Sequence, residues 1–221
     1  MNIAFIPARC GSKSIPFKNI KDFCGKPLIY WNLTALQNSE NVDKVFVATD
    51  CDKIKIVVDS FNFSKVEVYD RDSENANDIA STESVMLEFI EQHSFQNDDL
   101  FILVQATPPL TQTKDFDEAL QTLKNSKPDS LLSCVRQKRF YWSDDAIPLN
   151  YDFNNRPRRQ DFNGVLMENG AFYINSIANI KKNKNRLSGE VEIYEMPEYT
   201  AVEIDEDSDW IIAEQLMKDN K

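Results

Sequence analysis

The sequence predicts an α/β fold: a mostly parallel sheet with helices on both faces. Three observations lead there. Short β-branched apolar runs alternate with amphipathic stretches at helical spacing. The run Leu100–Gln105 (LFILVQ) is continuously apolar, as expected of a strand covered on both sides. The strand–helix order repeats, which is the pattern of parallel strands joined by helical crossovers.

In order, Ile3–Ile6 reads as a strand and Leu28–Gln37 as a helix. Lys44–Thr49 is a second strand, Asp52–Phe61 a helix, and Val66–Tyr69 a third strand. Ser81–Gln92 carries Met86, Phe89 and Ile90 at helical spacing. After Leu100–Gln105, the segment Asp115–Lys124 opens with acids and closes with lysine, complementing a helix dipole. Ser130–Val135 is the next strand. The pattern then breaks over residues 136–165, a polar stretch punctuated by aromatics, Pro and Asn, which reads as a functional loop or an inserted arm. Gly170–Asn175, Val191–Tyr194 and Thr200–Ile204 read as strands, and Asp207–Lys218 as a last helix. The expectation is one domain over 1–221, with the arm inserted in it.

Composition excludes several functions. The chain has 221 residues, 42% hydrophobic and 28% charged. A chain of that size can bury about 70% of its unfolded surface without staples. The net charge of −11 argues against nucleic acid and anionic membrane as partners. No apolar run reaches the roughly 18 residues needed to span a bilayer. The N-terminal Met-Asn-Ile-Ala-Phe-Ile-Pro lacks a basic region and reads as a first strand, not a signal peptide. Cys10, Cys24, Cys51 and Cys134 form no C-x-x-C pair, so reduced thiols in a cytoplasmic protein are expected. His93, alone of its kind, falls near a helix end; nucleophilic chemistry built on histidine is thereby disfavoured. Lys181–Arg186 (KKNKNR) reads as a solvated loop.

The loop after the first strand, Pro7-Ala8-Arg9-Cys10-Gly11-Ser12-Lys13-Ser14-Ile15-Pro16-Phe17-Lys18-Asn19, combines Gly, Ser and three cations. Backbone N–H groups and Arg9, Lys13 and Lys18 suit it to phosphate. Neither the Walker spacing nor a dinucleotide G-x-G-x-x-G is present.

This loop resembles the signature of the acylneuraminate cytidylyltransferases, the CMP-sialic acid synthetases. Gln105-Ala106-Thr107-Pro108-Pro109-Leu110 is similar to the family's Q-x-T-S-P-L. Arg156-Pro157-Arg158-Arg159-Gln160-Asp161 with Glu168-Asn169-Gly170-Ala171-Phe172-Tyr173 resembles the animal-type R-P-R-R-Q-D…E-N-G-[SA]-F-Y. Glu203-Ile204-Asp205, Asp209-Trp210 and Ala213-Glu214 resemble the D-I-D…D-W…A-E ending. The resemblance runs through the whole chain.

It implies a nucleotide-diphospho-sugar-transferase-like (Rossmann-like) fold and transfer of CMP from CTP to a nine-carbon 2-keto sugar acid, with Mg²⁺ or Mn²⁺. The arm would serve dimerisation, giving a homodimer or a dimer of dimers. By carry-over, Arg9, Ser12, Lys13, Lys18, Asn19, Arg71, Ala80 and Thr82 meet the nucleotide. Gln105, Arg159, Gln160 and Tyr173 meet the sugar. Lys18, Arg158, Arg159, Gln160 and Asp205 are catalytic, and Glu203 and Asp205 hold the metal. Residues alone leave alternatives. Asp70–Ser73 reads as a solvated turn, Gln105 as a strand-end cap, and Glu203, Asp205 and Asp207 as one face of a strand or the acidic start of a helix. Departures from the family pattern include Cys10, Ser14, Ala80, Pro108 and Glu203. The acceptor is expected to be N-acetylneuraminate or KDN. A legionaminate, pseudaminate or KDO enzyme and a non-catalytic nucleotide-binding regulator are the alternatives.

Overall fold

The structure is a computed structural model and describes residues 1–11, 14–72, 75 and 80–220. Seven strands form one sheet in the order β5-β4-β1-β6-β8-β7-β9. The central strand, β1 (Asn2–Pro7), pairs in parallel with β4 (Lys44–Thr49) and β6 (Leu100–Val104). β5 (Val66–Asp70) extends the parallel run beyond β4. β8 (Val165–Ser176) is antiparallel to β6 and to β7 (Ser130–Gln137), and β9 (Val191–Met196) runs parallel to β7. Six strands therefore share a direction and β8 opposes them.

Strand alternation sorts the core onto two faces. Ala4 and Ile6 point with Val45 and Val47 toward Ile29 and Leu33 of α1 (Leu28–Asn38), Ile54 of α2 (Asp52–Asp59) and Phe116 of α4 (Thr113–Ser126). Ile3 and Phe5 point to the other face, toward Phe89 of α3 (Thr82–Gln92) and Ile177 of α5 (Ile177–Asn183). A third cluster packs Trp210 of α6 (Asp207–Asp219) edge-on to Phe23, centroids 5.6 Å apart, in the hairpin of β2 (Asp22–Phe23) and β3 (Lys26–Pro27).

Local chemistry fixes the helix starts. Ser81 caps α3, its side chain accepting from Ser84 N at 3.0 Å. Gln112 with Asp115 and Glu206 with Asp209 form reciprocal capping boxes on α4 and α6. His93 closes α3 by a 2.8 Å contact from Nδ1 to Phe89 O and stacks on Phe95, a helix-end role.

Two expectations are corrected. Thr200–Ile204 is not a strand: Glu198–Ala201 is a 3-10 turn, and Val202–Ile204 has no regular structure. Thr200 Oγ1 donates to Pro197 O at 2.7 Å and Asn169 Nδ2 donates to Thr200 O at 3.4 Å, so side chains take up the hydrogen bonds a ladder would use. The thiols are not all free either. Cys10 and Cys51 form a disulfide with Cα atoms 4.9 Å apart, while Cys24 and Cys134 remain free. The parallel register of β1 and β4 continues through Ala8 N to Ala48 O, which sets the two strand-exit loops side by side. A separation of 41 residues hides that pairing from the sequence.

Gly189, ahead of β9, shows a local demand for glycine. Its φ is +60°, and a Cβ there would overlap the Asp129 carboxylate, which accepts from Glu190 N at 2.8 Å. Gly189→Ala is expected to cost about 1–3 kcal/mol. Differential scanning fluorimetry should show a melting temperature lower by roughly 2–10 °C; an unchanged value would reject this account.

Candidate active site

The parallel strands end on one edge of the sheet, and the loops leaving them enclose a cavity of about 430 Å³. Ligands bind at that carboxyl edge in open α/β sheets. Arg9 follows β1, Arg71 follows β5 and Gln105 follows β6; all three line the cavity, with Lys18, Asn19, Ala80 and Thr82. Of the nucleotide residues expected from sequence, Ser12 and Lys13 lie outside the described residues.

Lys18 sits in a 3-10 turn, Lys18–Ile20, entered through Phe17 at φ 52°. Its side chain is 11% exposed, and Nζ donates to Ile204 O at 2.6 Å and Asp205 Oδ1 at 3.1 Å. Asn19 Nδ2 reaches Arg9 O at 3.5 Å, bracing the loop across its own mouth.

Arg71 is no solvated turn. Its side chain is 5% exposed and stands 3.5 Å from Asp50. Nε is buried without a hydrogen-bond partner in a residue that lines the cavity. Burial and the neighbouring Arg9 charge pull its pKa down, against the pull of Asp50. A buried donor left open beside a second cation suits an incoming anion or acceptor atom. Its backbone is held from α3: the Glu88 carboxylate accepts from Tyr69 OH at 2.6 Å, Asp72 N at 2.9 Å and Asn75 Nδ2 at 2.5 Å. Burial pushes the Glu88 carboxyl up, but these hydrogen bonds outweigh it and leave it below its usual value.

Glu203 and Asp205 do not share a strand face. Glu203 Oε1 accepts from Thr107 Oγ1 at 2.9 Å, Asp205 faces Lys18, and Asp207 opens α6, 3.7 Å from Lys21. Burial, with the Asp205 charge adding to it, raises the Glu203 carboxyl above its usual range. Gly170 makes the arrangement possible: at φ +67°, a Cβ there would lie 3.2–3.3 Å from both Glu203 oxygens and 3.4 Å from Gln105 Oε1. Asn169 ties the same strand to the C-terminal segment, Nδ2 donating to Thr200 O at 3.4 Å while Oδ1 accepts from Ser133 Oγ of β7 at 2.7 Å. Among the described residues no cluster of three or more His, Cys, Asp or Glu could hold a metal. Two oxygen-donor carboxylates fit Mg²⁺ or Mn²⁺ if ligand phosphates and water complete the shell, and a half-buried carboxyl with a raised pKa is one that a cation would relieve.

The arm residues lie elsewhere. Arg158, Arg159 and Gln160 are exposed and do not line the cavity; Arg159 stands 3.6 Å from Glu198. Tyr173 is buried, with its hydroxyl donating to Glu168 and its ring under the Arg186 guanidinium at 4.9 Å. Sequence reasoning missed Arg186, which lines the cavity, and the supports Asp50 and Glu88. Their only signal is charge opposite charge at long range, which one sequence does not display.

A sequence model of the cytidylyltransferase family matches residues 3–218. N-acylneuraminate cytidylyltransferase of Oncorhynchus mykiss is 40% identical over 96% of this chain and 49% of its own length. N-acylneuraminate cytidylyltransferase B of Danio rerio is 38% identical over 96% of this chain and 50% of its own length. The chain thus spans about half the length of these relatives. Pseudaminic acid cytidylyltransferase of Campylobacter jejuni is 31% identical over 78% of this chain and 77% of its own. Among solved structures, a CMP:2-keto-3-deoxy-manno-octonic acid synthetase complexed with CTP superposes with a TM-score of 0.74 at 19% identity, covering 100% of this chain and 99% of that one. A 4-diphosphocytidyl-2C-methyl-D-erythritol synthase from Anaerococcus prevotii gives 0.70 at 14% identity, covering 98% and 96%. Both likenesses support the nucleotide-diphospho-sugar-transferase-like, Rossmann-like fold. With a family match over nearly its full length and a cationic cleft at the carboxyl edge of a parallel sheet, this chain belongs to the cytidylyltransferase family, with animal N-acylneuraminate cytidylyltransferases among its relatives.

Proposed function

We propose that the chain is an N-acylneuraminate cytidylyltransferase: it transfers CMP from CTP to the anomeric hydroxyl of a nine-carbon 2-keto-3-deoxy sugar acid and releases pyrophosphate. The observation that carries this reading is the match of 38–40% identity over 96% of the chain to animal enzymes of that name. The cleft's chemistry agrees, because both substrates are anions and the lining presents Arg9, Lys18 and Arg71.

Phosphoryl-type transfer is mainly positioning and charge neutralisation. Arg9 and Lys18, with Ser12 and Lys13 of the same loop, take the triphosphate. Arg71 offers its buried Nε to the nucleotide, beside Asn19, Ala80 and Thr82. Gln105 orients the sugar acid. Glu203 and Asp205 would hold Mg²⁺ or Mn²⁺, which when bound neutralises phosphate charge. The acceptor oxygen attacks the α-phosphorus in line, and pyrophosphate leaves toward Lys18 and Arg9. Arg158, Arg159 and Gln160 lie outside this cleft, so they are assigned to the cleft of a second copy in a homodimer or dimer of dimers. The proposed enzyme is assigned to the cytoplasm; no helix among the described residues is long and apolar enough to cross a membrane.

Incubation with CTP, Mg²⁺ and a panel of N-acetylneuraminate, KDN, pseudaminate and KDO should release pyrophosphate, fastest with one of the first two. No release with any acid overturns the reading. Lys18→Ala should lower kcat by about 10²–10³-fold, the scale of losing one transition-state donor. A change confined to CTP affinity would instead indicate a nucleotide sensor. Asp205→Ala should abolish turnover at any Mg²⁺ concentration, whereas Glu203→Asp retains it. Equal tolerance at both positions, read from a Mg²⁺ titration of initial rate, would refute the metal assignment.

A further inference from the structure

Arg186 ends the basic run that sequence alone assigns to solvent, yet it stands in the wall of the cleft. The chain places it deliberately. Lys184, at φ 52°, terminates α5, and Asn175 Nδ2 of β8 donates to Arg186 O at 3.2 Å. The side chain is 20% exposed; its Nε donates to Glu83 Oε1 at 2.6 Å, and its guanidinium covers the Tyr173 ring at 4.9 Å. Glu83 comes from the first turn of α3, next to the cavity-lining Thr82. The result is a salt bridge on an aromatic face, at the side of the cleft formed by α3 and β8. The triphosphate cations Arg9 and Lys18 rise from the loop after β1.

Glu83 makes the pair net neutral, and only the Arg186 donors stand in the wall itself. In a 2-keto sugar acid the carboxylate is bonded to the reacting carbon, so it lies at the phosphate end of the cleft. The remainder of the molecule is uncharged: hydroxyls and, in neuraminates, an acylamino group. A guanidinium whose charge is already neutralised by Glu83, offering N–H donors at the wall, matches that remainder.

We propose that Arg186, neutralised by Glu83 and seated on Tyr173, contacts the uncharged polyol and acylamino portion of the acceptor and sets acceptor selectivity. This rests on the proposed cytidylyl transfer to a sugar acid. Removing a hydrogen-bonding group from such a site reduces discrimination by about tenfold or more. R186M keeps the hydrophobic stem, E83Q keeps the shape, and the double variant removes both charges together. The measurements are kcat/KM for N-acetylneuraminate and for KDN, KM for CTP, and the melting temperature. R186M should lower kcat/KM for the preferred acid by about tenfold or more and shrink the ratio between the two acids, with KM for CTP within twofold. The double variant should recover melting temperature but not selectivity. Wild-type selectivity in R186M, its recovery in the double variant, or a matching rise in KM for CTP would each overturn the proposal. If the wild type releases no pyrophosphate, the reaction fails first. The pair is then judged by isothermal titration of the same two acids in the presence of CTP: weaker binding by R186M sustains it, and equal or absent binding overturns it.

Discussion

A buried ammonium group organises this molecule. Lys18 is nearly enclosed, and a buried charge is expensive unless paired and hydrogen-bonded. Its two partners, Ile204 O and Asp205 Oδ1, lie 186 and 187 residues further along the chain. The first loop can therefore reach its observed form only when the C-terminal segment is in place. That segment is itself fixed from the middle of the sheet: Ile204 N donates to Thr107 O at 3.1 Å, and Asn169 of β8 holds Thr200. Three distant stretches thus converge on one point, and the carboxylates at that point are positioned before any ligand arrives.

The acidity of the chain looks different once the cleft is known. A net charge of −11 suggests a surface hostile to an anionic ligand. In the fold, however, acids accompany the arginines and steady them: Asp50 beside Arg71, Glu83 on Arg186, Glu195 on Arg136. The first 26 residues hold Arg9, Lys13, Lys18, Lys21 and Lys26 against one acid, Asp22. Excess negative charge sits on the body while positive charge collects where β1 ends. Clefts with low-dielectric walls strengthen such fields, and Arg9 stands close enough to Arg71 to pull its pKa down.

Local rules made the strand and helix order legible. The apolar run Ile3–Ile6, the unbroken LFILV of β6 and the acid-first, lysine-last α4 all depend on neighbours in sequence. Gly11 and the cations after β1 likewise located the mouth of the cleft. What stayed hidden depends on partners far away in sequence. Arg71 looked like part of a polar turn because Glu88, which fixes its loop, is on the next helix. Cys10 and Cys51 pair only because β1 and β4 run side by side. Thr200–Ile204 has the composition of a strand but finds Asn169 and Thr107 instead of a ladder. The Glu203–Asp205–Asp207 alternation was real as sequence and irrelevant as geometry, since the chain turns into α6 between the second and third acid.

The arm between β7 and β8 follows a different logic from the body. Its aromatics pack on each other: Phe140 lies 4.3 Å from Tyr151 and 4.9 Å from Phe162, with the Arg156 guanidinium 4.5 Å above Phe140. That small cluster cannot cover everything the segment carries. Trp142, Ile147, Leu149 and Phe153 remain 47–63% exposed. Apolar side chains gathered in one exposed segment mark an interaction surface. The same segment carries Arg158, Arg159 and Gln160 away from the cleft of their own chain. These two facts have one economical explanation on the proposed reading: a second copy covers the apolar side chains and receives the arginines. On that reading the cleft of one chain already holds Arg9, Lys18 and Arg71 for the triphosphate. The arm then brings Arg158 and Arg159, exposed on their own chain, to the sugar carboxylate from a second copy, so that like charges meet only where an anion separates them.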